Sequence, residues 1–161
     1  MQTAYFAGGC FWCVEAIFQR IDGVNELTNG YCNGSTQNPT YEEVCSGLSG
    51  HAEVLKIEFD EQQITFVDLL EVFVETHDPT SLNQQGSDRG TQYRSAVFYT
   101  DVNQREQTVS VINSIPDAVT EISPLDVFYP AESYHQNYYN NNPNQSYCQL
   151  VILPKIDKYF K

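Results

Sequence analysis

Apolar positions along this chain change period several times, and each change marks an element. Residues 2–7, QTAYFA, run into Gly8-Gly9, which predicts a short strand ending at the glycines. From Phe11 onward, Val14, Ile17, Phe18 and Ile21 fall at helical spacing and form one apolar face, which Asp22-Gly23 ends. Residues 24–32, VNELTNGYC, predict a second strand, and NGSTQNPTYEE reads as a loop by composition. Alternation in 52–59, AEVLKIEF, predicts a strand. Thr65 then caps a helix, with Asp68 three residues on and Phe66, Leu69, Leu70 and Phe73 as its apolar face. The stretch from His77 to Tyr93 is polar and broken by Pro79, Gly86 and Gly90, and connections this long are often functional. Residues 95–100, SAVFYT, predict a strand, and Asp101 starts a weaker helix through Ile112. The remainder, with Asn140-Asn141-Asn142-Pro143-Asn144, reads as irregular until the apolar stretch 147–153, YCQLVIL. Strands alternating with helices predict an α/β (α+β) fold on one mixed sheet.

At 161 residues the chain is long enough for one domain with a real core, and no linker divides it, so residues 1–161 are expected to form a single domain. Eight basic residues stand against 21 acidic ones, a net charge of −13. That balance disfavours a nucleic-acid partner or an anionic membrane surface, since both need positive charge. No apolar run approaches a transmembrane span, and no signal peptide is visible. Five cysteines, an odd number with no such signal, fit a reducing compartment, so a cytoplasmic location is expected.

Cys10 is the first candidate for chemistry. It lies where a glycine-flexed turn enters a helix, and free N–H groups and the helix dipole stabilise a thiolate there. The competing reading is a small buried hydrophobe, the usual fate of a cysteine. Cys13 makes a Cys-x-x-Cys spacing with Cys10, which suits a redox pair or half a zinc site. No second pair exists, because Cys32, Cys45 and Cys148 lie singly, so the metal reading is weak. Cys13 also lies near the apolar stripe of its helix, where it would simply pack. Cys32 and Cys45 read as packing residues. Glu53 is the second candidate: in a strand it shares its face with Leu55, Ile57 and Phe59. A carboxyl on a core-facing register is desolvated and its pKa rises, as a general acid requires, unless the strand end lets it escape to solvent. Tyr41, Tyr93, Tyr134, Tyr138 and Tyr139 place hydroxyls in or beside loops, and the three histidines show no metal-ligand spacing.

Five segments together resemble the peptide methionine sulfoxide reductases of the A type. They are GGCFWCVE at 8–15, NPTYEEV at 38–44, GHAE at 50–53, DPTSLNQQGSDRGTQYRS at 78–95 and YHQNYYNNNPNQSYC at 134–148. The resemblance implies a two-layer core with a mixed central sheet and long irregular segments around it. It also implies reduction of the S epimer of methionine sulfoxide, free or in proteins, with thioredoxin as reductant. By motif position, Cys10 resembles the nucleophile and Glu53 the proton donor. Tyr41 and Tyr93 resemble the hydroxyls that hold the sulfoxide oxygen, and Phe11 and Trp12 the methyl pocket. Asp88 and His135 match positions that engage the substrate's main chain, and Cys148 resembles the resolving cysteine. The chemistry implied needs no metal or organic cofactor, and a monomer is expected.

The chain departs from the family pattern at Cys13, where many members carry glycine. Two routes to the first disulfide are therefore open. Cys148 swings to Cys10 on its Asn-rich tail, or Cys13 attacks directly. One helical turn brings Cα atoms within bridging distance, about 5–6 Å, but a helix resists turning the sulfurs together, which favours Cys148. A different enzyme class, a thioredoxin-like disulfide oxidoreductase using Cys10 and Cys13 alone, would leave Phe11, Trp12, Glu53 and the tyrosines without a purpose.

Overall fold

The computed structural model describes residues 1–160. Its strands are β1 (Gln2–Ala7), β2 (Val24–Cys32), β3 (Ala52–Phe59), the two-residue β4 (Gln84–Gln85) and β5 (Asp88–Arg89), β6 (Ala96–Tyr99), β7 (Glu121–Pro124) and β8 (Tyr129–Pro130). Its α-helices are α1 (Phe11–Phe18), α2 (Tyr41–Cys45), α3 (Phe66–Thr76), α4 (Val102–Asn113), α5 (Tyr138–Asn141) and α6 (Leu153–Tyr159). The main sheet runs β7-β6-β1-β3-β2-β8, with β6 and β7 parallel and the other neighbours antiparallel, so it is mixed as expected. Among the described residues no helix is long and apolar enough to cross a membrane.

The expected strands β1, β2, β3 and β6 and the helices α1, α3 and α4 all form. At α3, Thr65 accepts the Asp68 N–H and Asp68 accepts the Thr65 N–H, at 3.1 and 3.2 Å, the reciprocal cap its sequence announces. α1 stops at Phe18 rather than running to Ile21. Arg20 and Ile21 donate to Ile17 and Phe18 in a tightening turn, which still leaves Ile21 against the core. The predicted loop after β2 contains α2, started by a second reciprocal cap between Thr40 and Glu43. The stretch predicted to be irregular contains β7, β8 and α5, the apolar stretch 147–153 forms a π-helical turn at Cys148–Ile152, and α6 follows it.

One face of the sheet carries Phe6, Leu55, Ile57, Phe59 and Val97, buried against Ile17 and Phe18 of α1 and Leu69, Leu70 and Phe73 of α3. The Phe6 ring stacks on Phe73 at 4.9 Å and meets Phe18 at 5.9 Å. Burial of each such side chain stabilises the fold by about 1.5–3 kcal/mol. The opposite face, with Tyr5, Val54 and Phe98, is covered by Leu125 and Phe128. Helices thus gather on one face, as a two-layer arrangement requires. Register then places the site. Phe6 pairs with Leu55 and Tyr31 with Glu53, so continuing β1 past its last paired residue brings the Gly8 turn alongside Glu53.

Candidate active site

Two glycines turn the chain out of β1. A side chain at Gly8 would meet the His77 and Phe73 rings at 2.9 Å, and Gly9 has φ +87° with Gln85 2.8 Å from where its Cβ would be. Neither position admits another residue cheaply. The Gly9 N–H donates to the Tyr93 carbonyl at 3.2 Å, which ties the turn to the 91–93 loop. Cys10 follows as the residue before α1, in extended conformation (φ −63°, ψ 127°), and its carbonyl closes the first helical turn with the Cys13 N–H at 3.0 Å.

That conformation decides where the sulfurs go. Cys10 lies outside the helix, so its side chain is free to face Cys13, and each thiol perturbs the other's titration. Contrary to the thiolate expected at a helix start, burial pushes the Cys10 thiol well up and the neighbouring Cys13 acts the same way, while the Trp12 N–H opposes them. Cys13 is held down to about 7, first by Cys10, then by Lys155 and the Tyr147 hydroxyl, which lies 3.3 Å from its sulfur. Of the two thiols, Cys13 is thus the one that ionises more readily.

Glu53 is 1% exposed. Its Oε1 accepts the Phe11 N–H at the start of α1 at 3.1 Å, and its Oε2 is buried with no protein partner among the described residues. Burial pushes its carboxyl up to about 8, with the Phe11 N–H pulling back. It is thus a neutral acid at physiological pH, with one oxygen unengaged. The hydroxyls of Tyr41 and Tyr93 are both pushed up, by burial first and then by neighbours that include Glu53. They stay protonated, so each keeps an O–H.

Phe11, 1% exposed, packs on Tyr31 and His135, with ring centroids at 5.7 and 5.2 Å. Trp12 is half-buried. It lies flat on Tyr138 (3.7 Å, 6°), meets Tyr147 edge-on at 5.9 Å, and donates its Nε1–H to His135 Nδ1 at 3.1 Å. Burial lowers the His135 pKa, so the ring is neutral. With Nδ1 accepting, its proton sits on Nε2, which is buried without a protein partner. Tyr41 meets the same ring at 4.5 Å, tilted by 49°.

The structure thus gathers Cys10, Phe11, Trp12, Tyr41, Glu53, Tyr93 and His135 around one site. Asp88 reaches it from another side, where its carboxylate accepts the Tyr147 hydroxyl at 2.6 Å. Both residues line a cavity of about 870 Å³ together with Cys10, Cys13, Gln85 and Lys155. Cys148 is not on an irregular tail. It sits fully buried in the π-helical turn, in the core cluster with Ile152 and Ile156, and does not line that cavity. Cys32 is buried, whereas Cys45 is exposed on α2 and touches Tyr41 rather than packing. His51 has a structural place: it accepts the Gly34 N–H at 3.1 Å and lies 2.6 Å from the Thr36 carbonyl.

Several site residues went unassigned in the sequence. Tyr147 joins Asp88 to Cys13, Tyr138 covers Trp12, and Glu132 accepts the Tyr41 N–H at 2.9 Å and the Tyr31 hydroxyl at 3.0 Å. No period or spacing singles these out from the other tyrosines and acids of the tail.

Residues 2–161 match the family model described as peptide methionine sulfoxide reductase. The chain is 64% identical over 161 residues to a peptide methionine sulfoxide reductase MsrA of Vesicomyosocius okutanii, covering 99% of each. Among solved structures it is similar to reduced Mxr1 from Saccharomyces cerevisiae, with TM-score 0.87, 33% identity, and 91% of this chain and 88% of that one covered. It is also similar to methionine sulfoxide reductase A of Corynebacterium diphtheriae, with TM-score 0.82, 35% identity, and 89% and 76% covered. Mxr1 has been solved in complex with Trx2 as well; that chain is 22% identical at TM-score 0.61, covering 85% and 84%, and shares the fold.

Proposed function

The chain belongs to the peptide methionine sulfoxide reductase family, and we propose that it reduces the S epimer with Cys10 as nucleophile and Glu53 as proton donor. The observation that carries this reading is the buried, unpartnered Oε2 of a neutral Glu53 beside the Cys10 thiol. A sulfoxide oxygen leaves poorly unless protonated. Cys10 passes its proton to the Cys13 thiolate and attacks the substrate sulfur, while Glu53 gives its proton to the oxygen. Tyr41 and Tyr93 donate to that oxygen as charge develops on it. The methyl group, which cannot hydrogen-bond, is selected by Phe11 and Trp12. The Nε2–H of His135 is free to donate to a main-chain carbonyl of the substrate, and Asp88 stands ready for an N–H on the cavity side. The substrate S–O bond breaks as its oxygen leaves as water, taking the Glu53 proton and the one Cys13 received from Cys10. A water then attacks the Cys10 sulfur, the S–S bond breaks to release methionine, the proton set free returns to Glu53, and Cys10 is left as a sulfenic acid.

Cys13 is the resolving cysteine in this proposal. Its thiolate, restored once the Cys10 proton has left with the substrate oxygen, attacks the Cys10 sulfenic sulfur. The S–O bond breaks, hydroxide takes the Glu53 proton and leaves as water, and the Cys10–Cys13 disulfide forms. The extended Cys10 removes the obstacle that a helix would impose, and the burial of Cys148 removes the advantage of a tail. A dithiol protein such as thioredoxin then reduces the disulfide by exchange, with the open cavity as its approach to the sulfurs.

Two measurements check this. With the separate epimers and dithiothreitol, only the S form should turn over, and reduction of the R form alone would overturn the assignment. Cys13→Ser should keep the first turnover within about tenfold and lose at least nine-tenths of thioredoxin-driven cycling, whereas Cys148→Ser should keep both. A peptide map showing Cys10 joined to Cys148 after one turnover would make Cys148 the resolver.

A further inference from the structure

Glu15 closes the GGCFWCVE stretch and takes no part in the chemistry above. It is 2% exposed and stands one helical turn after Trp12 on α1. A buried carboxylate is costly unless hydrogen-bonded. This one accepts the Asn137 N–H at 2.9 Å and the Tyr138 N–H at 3.3 Å, through different oxygens. Gln19, just past the end of α1, donates to the Asn137 side chain at 2.6 Å. Asn137 is left-handed (φ 55°) and begins α5, where no side chain of its own caps the first N–H groups.

The segment held this way carries the two residues that hold Trp12. The Tyr138 ring covers one face of the indole at 3.7 Å, and His135 accepts its N–H at 3.1 Å. The indole and the segment that clamps it are thus both fastened to α1. We propose that Glu15 is a positioning residue for substrate binding: by fixing the 137–138 turn it holds Tyr138 against Trp12 and fixes the indole wall of the methyl pocket. The proposal rests on the reading of Trp12 as that wall.

Without the clamp, the indole must be immobilised when substrate binds, and the cost falls on binding rather than on the sulfur chemistry. Glu15→Gln loses the charge and presents an amide N–H₂ to two backbone donors. It should raise KM for methionine sulfoxide about 3–10-fold, with the saturating first-turnover rate within about twofold. Trp12 is the only tryptophan in the chain, so its fluorescence reports the clamp directly. Its emission should shift to the red and its anisotropy should fall. Tyr138→Ala, at a half-buried position, should do the same, and the double variant should be no worse than Tyr138→Ala alone. A lowered thermal midpoint with unchanged KM and emission overturns the proposal, and so do additive effects of the two substitutions. If Glu15→Gln does not fold, Gln19→Ala carries the test: a smaller rise in KM with a red shift supports the clamp, and unchanged values overturn it. Trp12→Ala separates the two readings. If it leaves KM unchanged, the methyl pocket itself is wrongly placed; if it raises KM while Glu15→Gln and Tyr138→Ala do not, only the clamp fails.

Discussion

Cys10→Ser will abolish methionine sulfoxide reduction, by at least about 10⁴-fold, with excess dithiothreitol as well as with thioredoxin. A serine hydroxyl at this position has no base strong enough to ionise it, and a sulfenate cannot form on oxygen. The neighbouring thiol does not take over. Cys13 is 3% exposed on the buried face of α1, and its sulfur is engaged by the Tyr147 hydroxyl at 3.3 Å. Retained turnover in Cys10→Ser would move the nucleophile to Cys13 and overturn the mechanism. The same site offers a second readout. Cys10 is the largest influence holding Cys13 down to about 7. In Cys10→Ala that thiol is gone, so the pH at which Cys13 becomes alkylated by iodoacetamide should rise above about 7. An unchanged midpoint would show that Lys155 and Tyr147 suffice.

Glu53 shows how far the sequence alone reaches. Alternation over AEVLKIEF puts it on the face of Leu55, Ile57 and Phe59, and the strand carries it into the core at 1% exposure. A two-residue period is a local property, so it is readable before anything folds. The Thr65–Asp68 cap of α3 is local in the same sense. The cap of α2, Thr40 with Glu43, is equally local, but a helix of five residues buries only Val44 and leaves no apolar stripe to find. Cys13 was less legible for a different reason. Helical spacing places it near the core stripe, and only the extended backbone of Cys10 turns its sulfur toward a partner. Glu15, Tyr138 and Tyr147 were less legible still. They act across contacts separated by 122 to 134 residues, such as Glu15 to Asn137 and Cys13 to Tyr147, and no periodicity encodes such pairs.

Glu53→Gln should lower the single-turnover rate about 10²–10⁴-fold while the protein folds normally. The amide still reaches the Phe11 N–H and the sulfoxide oxygen, but it has no proton to transfer. Wild-type turnover should fall above about pH 8, where Glu53 ionises, and the variant should lose that alkaline limb. Stability gives an independent check with a definite sign. Burial raises the carboxyl from 4.5 to about 8, so the folded protein binds this proton more tightly than the unfolded chain. The resulting contribution to stability is present in full below about 4.5 and is lost as pH rises through about 8. The variant has no such proton to lose. Its stability relative to wild type should therefore climb between pH 5 and pH 9, by up to a few kcal/mol, on the order expected for a shift of this size in a buried group. A flat difference across that range would mean that Glu53 is ionised in the folded protein at neutral pH. An unaltered single-turnover rate would pass the proton donor's role to Tyr41 or Tyr93, whose protonated hydroxyls neighbour Glu53.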